Sequence, residues 1–210
     1  MKKNYFIALE GIDGSGKSTQ VKLLKENFEK AGYKVYSTFE PTDSPIGKII
    51  RDIFNGRMDA DHRTIAALFV ADRLDHILNK KDGILKKLEE GYTVITDRYY
   101  FSSYAYHSVH MDMNWVISSN ALAADLLRPD LNIYIDIDPT ITIERINKGR
   151  ATTELYETLE NLQNVRSKYL EVMSLLRSKE RIQFIDGNRE SDLIANEIWI
   201  KISELILKES

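Results

Sequence analysis

Gly11-Ile12-Asp13-Gly14-Ser15-Gly16-Lys17-Ser18 has the spacing G-x-x-x-x-G-K-[ST]. Glycines at these positions let a backbone curl until its N–H groups converge on an anion, and a helix opening behind the loop adds free donors and a favourable dipole. Lys17 is placed to reach outer phosphates and Ser18 to hold Mg²⁺, so the segment predicts nucleotide binding and phosphoryl chemistry. Asp97-Arg98-Tyr99 ends a later apolar run. Asp97 there suits a metal's water shell, and the planar fork of Arg98 suits an anionic group; an ordinary ion pair capping a strand end has the same sequence. Phe69 and Arg73 lie four apart, hence on one helix face. They suit a planar base and its carbonyl, and equally a core Phe beside a solvated Arg. Ser102, Ser103, Tyr104 and Tyr106 suit a sugar and a base edge, or a plain helix surface. His62, His76, His107 and His110 have no metal-ligand spacing.

These residues need a scaffold that brings distant segments to one edge. Tyr5–Leu9 is a short apolar run typical of a buried strand. From about Gly16 to Ala31, Val21, Leu24 and Phe28 give a helical stripe that Gly32 stops. Lys34–Phe39 predicts a second strand, 41–45 a loop, Ile46–Phe54 a short helix, and 62–90 helix with a break at Asp82-Gly83. Tyr92–Thr96, Leu131–Ile137 and Ile182–Ile185 complete five strands. Helix is expected to about Leu127, to Lys148, from about 154 to Lys179, and over about 190–208. Strands alternating with helices predict an α/β fold, a five-stranded parallel sheet flanked by helices in three layers. Residues 1–210 are expected to form one domain.

Composition narrows the partners. Lys+Arg number 29 and Asp+Glu 32, a net charge of −3, so there is no basic excess for gripping a nucleic acid polymer. The chain has no Cys, which removes disulfides, thiolate metal sites and cysteine nucleophiles and is compatible with a cytoplasmic protein. No apolar run approaches the ~20 residues of a membrane span, and Tyr5–Leu9 is too short for a secretory core.

Taken together, Glu10–Thr19, Phe39-Glu40-Pro41, Leu68–Arg73, and Asp97-Arg98-Tyr99 with Ser102 and Ala105-Tyr106 resemble the thymidylate kinase (dTMP kinase) family of P-loop nucleoside monophosphate kinases, in order and rough spacing over essentially the whole chain. The resemblance implies that residues 1–210 are a single P-loop kinase domain with a lid segment around 145–155, and that it transfers the γ-phosphate of ATP to dTMP, giving dTDP and ADP, with Mg²⁺ held near Ser18 and Asp97, and a homodimer. It implies a donor-phosphate set of Gly11, Asp13, Gly14, Ser15, Gly16, Lys17, Ser18 and Thr19. On the acceptor side it implies Asp13 on the sugar 3′-hydroxyl, Phe69 stacked on thymine, Arg73 on a thymine carbonyl, and Arg98 on the acceptor phosphate with Arg51 nearby. Ser103 would face the base and Tyr106 the sugar, with Glu40 and Ser102 completing the set.

The chain departs from the family pattern twice. His107 stands where bacterial members often carry Gln. Members with no Arg in the phosphate loop usually place an Asp-Arg pair in the lid; here that pair reads Thr152-Thr153, and the expected lid cations are Arg150 and Arg145, acting with Lys17 and Arg98 as the catalytic charges. Two other functions fit parts of the sequence. A deoxynucleoside kinase would use Glu40 as general base on a 5′-hydroxyl, and a nucleotide-dependent switch would use the loop without phosphorylating a small molecule.

Overall fold

Strand β1 (Phe6–Glu10) is buried along its whole length, as its apolar run demands. Its side chains alternate between two cores. Tyr5, Ile7 and Leu9 meet Val21, Leu24 and Phe28 of α1 (Lys17–Lys30) and Ile194, Ile198 and Ile202 of α10 (Ser191–Glu209). Phe6 and Ala8 meet the opposite layer, built largely from α5 (Tyr100–His107) and α9 (Leu159–Leu176). Each fully buried Ile or Leu contributes about 1.5–3 kcal/mol, so truncating Ile7 to Ala would cost about 2–5 kcal/mol once the cavity is counted.

β1 pairs in parallel with β3 (Tyr92–Asp97) on one side and β4 (Leu131–Asp136) on the other. β2 (Lys34–Phe39) and β5 (Ile182–Asp186) form the edges, giving the order β2-β3-β1-β4-β5. The five strands and the three-layer arrangement agree with the expectation. Because β1 has later strands on both flanks, a crevice opens at the carboxyl ends of β1 and β3, where Leu9 is in register with Asp97.

The computed structural model describes residues 3–149 and 155–209. Arg150 and Thr152-Thr153 therefore lie outside the described residues. The remaining helices are α2 (Pro45–Phe54), α3 (His62–Leu78), α4 (Ile84–Glu89), α6 (Met113–Ser119), α7 (Ala121–Leu126) and α8 (Pro139–Gly149). The helical region expected after β3 to about Leu127 is divided into three short helices, because Asp112 caps α6 and Asn120 joins α6 to α7. Helix α9 begins later than its periodicity predicts: the Thr158 hydroxyl accepts from Asn161 N, and buried Tyr156 and Glu157 lie before that cap. On α3, Ala66 is buried in the chain's own interior while Ala67 is exposed and Val70 half-buried. Among the described residues no helix is long and apolar enough to cross a membrane.

Candidate active site

The glycine loop runs from the end of β1 into α1, and its path leaves no room for a side chain at Gly11 or Gly14. Gly11 has φ 151°, and a Cβ there would come within 2.9 Å of the Ile135 carbonyl. Gly14 has φ 76°, and its Cβ would lie 2.9 Å from the Thr142 carbonyl of α8. The Lys17 ammonium donates to the Ile12 carbonyl at 2.9 Å. Burial, reinforced by neighbouring Arg98, lowers the Lys17 pKa to about 8 against the pull of Asp97, Asp13 and Glu10. The Ser18 hydroxyl donates to Asp97 Oδ2 at 2.5 Å, bringing the two expected metal-side residues together.

Arg98 follows β3 with φ 73°, a left-handed conformation that is costly for a residue with a Cβ. That turn carries the guanidinium back over the loop. Its Nη1 donates to the Gly11 carbonyl and to Ser102 Oγ, each at 3.0 Å. Its Nη2 donates to Asp13 Oδ1 at 2.5 Å and to the Tyr106 hydroxyl at 3.2 Å. Tyr106 in turn donates to Asp13 Oδ2 at 2.7 Å. Burial works to raise the Asp13 pKa, but Arg98 and Lys17 outweigh it and hold the carboxyl below its ordinary value.

Two cavities meet at these residues. One, of about 630 Å³, is lined by Gly14, Gly16, Lys17, Ser18, Thr19 and Asp97. The other, of about 270 Å³, is lined by Arg51, Phe69, Ser102, Ser103, Tyr106 and His107. Asp13, Phe39 and Arg98 line both. The narrower cavity has an aromatic wall: the Phe69 ring lies 6.0 Å from Phe54 and 5.2 Å from His107. The 41–45 loop at its mouth is fixed by Asp72, which accepts from Thr42 N, Thr42 Oγ1 and Ser44 Oγ. Arg51 is held to this loop through the Pro41 carbonyl at 2.9 Å, the Thr42 carbonyl and Asp43.

Arg73 sits behind this wall. It is fully buried, and its five N–H donors go to Glu40 (twice), Ser103 Oγ, Asn120 Oδ1 and the Tyr99 carbonyl. Glu40 is equally committed: Oε2 takes both Arg73 bonds and Oε1 lies 3.1 Å from His76 Nδ1. Between them Arg73 and Ser103 connect the buried ion pair to the cavity surface. His107 reaches the same surface, with its Nδ1 buried and without a hydrogen-bond partner among the described residues. Burial, then Arg73, pushes its pKa down to about 3, so the ring is neutral at neutral pH. Arg145 is exposed on α8.

Four participants were not apparent in the sequence. Asn120 completes the coordination of Arg73. Tyr156 and Glu157 line the narrower cavity, with the Tyr156 ring 5.4 Å from Phe54 and 6.0 Å from Tyr106. Tyr169 of α9 reaches Glu10 and Ser102 under the phosphate loop. The signal available was the Thr158 cap motif, which marks a helix start and names no partner.

The family model described as Thymidylate kinase matches residues 9–198. A protein of Pyrococcus horikoshii named "Probable thymidylate kinase" is 41% identical over 201 residues, covering 92% of this chain and 95% of the relative. One of Thermococcus kodakarensis with the same name is 36% identical over 214 residues, covering 97% and 100%. A "Thymidylate kinase" of Leptospira borgpetersenii is 34% identical over 197 residues, covering 94% and 92%. A match of this extent, over a chain whose phosphate loop and aromatic cavity meet at Asp13 and Arg98, makes this protein a member of the thymidylate kinase family.

Proposed function

We propose that this chain transfers the γ-phosphate of ATP to dTMP, releasing dTDP and ADP. The observation that carries the reading is the junction of the two cavities at Asp13 and Arg98. The loop cavity offers backbone donors, Lys17 and a helix start to a polyphosphate. The narrower cavity offers Phe69 to a base face, Ser103 and His107 to its edge, Tyr106 and Asp13 to the sugar, and Arg98 with Arg51 to the acceptor phosphate. A phosphate monoester has its second pKa near ~6, so it arrives as an anionic nucleophile and needs no general base. The task is to hold two anions in line and to stabilise spread charge, which fixed cations do. Arg98 is suited to this because its hydrogen bonds orient it before substrate arrives.

Mg²⁺ fits the site, because the Ser18 hydroxyl and the Asp97 carboxylate are hard oxygen donors in contact at the floor of the loop cavity. When bound there, the ion would neutralise charge on the donor phosphates. Arg145 and Arg150 would supply lid cations from the 145–155 segment. We also take the protein to act as a cytoplasmic homodimer.

A deoxynucleoside kinase would need Glu40 free to take a proton. Its two oxygens are instead bound by Arg73 and His76, which favours the monophosphate as acceptor. The test is a panel of dTMP, dUMP, dCMP, dGMP, AMP and thymidine with ATP and Mg²⁺. Consumption of dTMP ahead of the others is expected. Phosphorylation of thymidine but not dTMP, or turnover of neither, would overturn the reading.

A further inference from the structure

Glu10 ends β1 directly before the phosphate loop and is completely buried. Its Oε1 accepts from Tyr99 N at 2.9 Å. Its Oε2 forms a triangle with two hydroxyl oxygens: 2.6 Å to Ser102 Oγ and 3.0 Å to the Tyr169 hydroxyl, which are themselves 2.7 Å apart. The three edges are all of hydrogen-bond length, and each needs one proton. Two hydroxyls bring two protons, and an ionised carboxylate brings none. One edge would then be a bare contact between oxygen lone pairs in a buried site, which is unfavourable. A proton on Glu10 Oε2 closes the ring: Glu10 donates to Tyr169, Tyr169 to Ser102, and Ser102 to Glu10. Ser102 still has a lone pair free to accept from Arg98 Nη1.

We propose that Glu10 is a proton-holding positioning residue, which acts through Ser102 and Tyr169 to set how much of the Arg98 charge is available to the acceptor phosphate. This rests on the reading of Arg98 as the acceptor-phosphate ligand. Neutral Glu10 leaves Arg98 opposed by the Asp13 and Asp97 carboxylates; ionised Glu10 adds a third carboxylate competing for the same guanidinium. The charged and titratable groups around Glu10 are Arg98 from the β3–α5 turn, Lys17 from α1, Tyr169 from α9 and Tyr134 from β4. Burial raises Glu10 from 4.5 to about 7, although the Ser102 bond, Arg98, Tyr169 and Tyr99 N pull it down. Binding of an anion at Arg98 and of a proton at Glu10 then favour one another, and the coupling is reciprocal.

The test is calorimetric titration of dTMP into the wild-type chain and Glu10→Gln at pH 6 to 8, in buffers of different ionisation enthalpy. Gln supplies both an acceptor for Tyr99 N and a donor for the ring without titrating. The ionisation of dTMP itself is common to both proteins, so the difference between them isolates Glu10. Net proton uptake in the wild type beyond that of the variant is expected near pH 7. The wild-type affinity should fall about fivefold relative to the variant as pH rises across that range, the low end of ordinary coupling between sites. Identical proton uptake and parallel pH profiles would overturn the proposal. Infrared spectra of the wild type carrying ¹³C-glutamate give a second readout that does not depend on the variant folding. A shifted protonated-carboxyl band present at pH 6 and lost by pH 8 is expected, and absence of the band at pH 6 would overturn the proposal. If dTMP binds neither protein, the substrate reading fails, while the infrared band, recorded without ligand, still decides the protonation of Glu10.

Discussion

Arg98 and Asp13 are joined by a 2.5 Å hydrogen bond at the point where the two cavities touch. One residue comes from the turn after β3 and the other from the loop after β1, so the pairing depends on those strands being neighbours. The bond helps to hold Asp13 ionised and orients the guanidinium, so a preformed cation lines both cavities.

Removing that cation should damage the chemistry more than the fold. Arg98→Ala should lower kcat/KM for dTMP by about 10²–10³-fold, the usual effect of losing one preorganised charge donor. Steady-state kinetics would check this, with thermal melts showing a folded variant.

Arg73 and Glu40 should behave in the opposite way. Arg73→Ala leaves a fully buried carboxylate without its main partner, so unfolding free energy should fall by about 3–5 kcal/mol. Urea denaturation measures this. Adding Glu40→Gln to that variant should recover part of the loss, and the monophosphate panel run on the double variant shows how far base preference depends on Ser103 keeping its orientation.

Phe69 is expected to act in binding. Phe69→Ala removes the aromatic wall of the narrower cavity and should weaken dTMP binding by about 1–3 kcal/mol, the range seen when a base loses an aromatic platform. Titration calorimetry would read it as a rise in Kd.

Metal dependence should follow Asp97. In Asp97→Asn the carboxylate that pairs with Ser18 becomes neutral, and the Mg²⁺ concentration for half-maximal rate should rise by about tenfold or more. Rates measured across a Mg²⁺ series at fixed ATP would show it.

Stability should carry a Glu10 signature with a definite sign. Its folded-state pKa is raised from 4.5 to about 7, so the folded chain keeps a proton that the unfolded chain has already lost in that interval. This contribution is fully present below pH 4.5 and disappears as pH climbs through about 7. Wild-type stability should therefore fall relative to Glu10→Gln between pH 5 and pH 8, by on the order of 3 kcal/mol at most. Paired denaturant titrations at the two pH values would check it.

The phosphate-loop pattern and the Asp97-Arg98 pair at a strand end were legible in the chain because their signals are local. A glycine loop followed by Lys-Ser can be recognised from the backbone conformations it requires, and the alternation of buried runs with amphipathic helices dictates a parallel sheet with ligands at its carboxyl edge. The tertiary structure alone decided the partners. Arg73 has the right type and spacing to read a base, and its five donors go to Glu40, Ser103, Asn120 and the Tyr99 carbonyl, all from elements distant in sequence. Glu10 reads as the last residue of a strand until Tyr169, 159 residues away, closes a ring on it. Tyr156 looked like part of a helix and instead forms part of a cavity wall. Periodicity records which face of an element is buried, but not which polar atoms meet there, since those meetings are set by how separate elements dock.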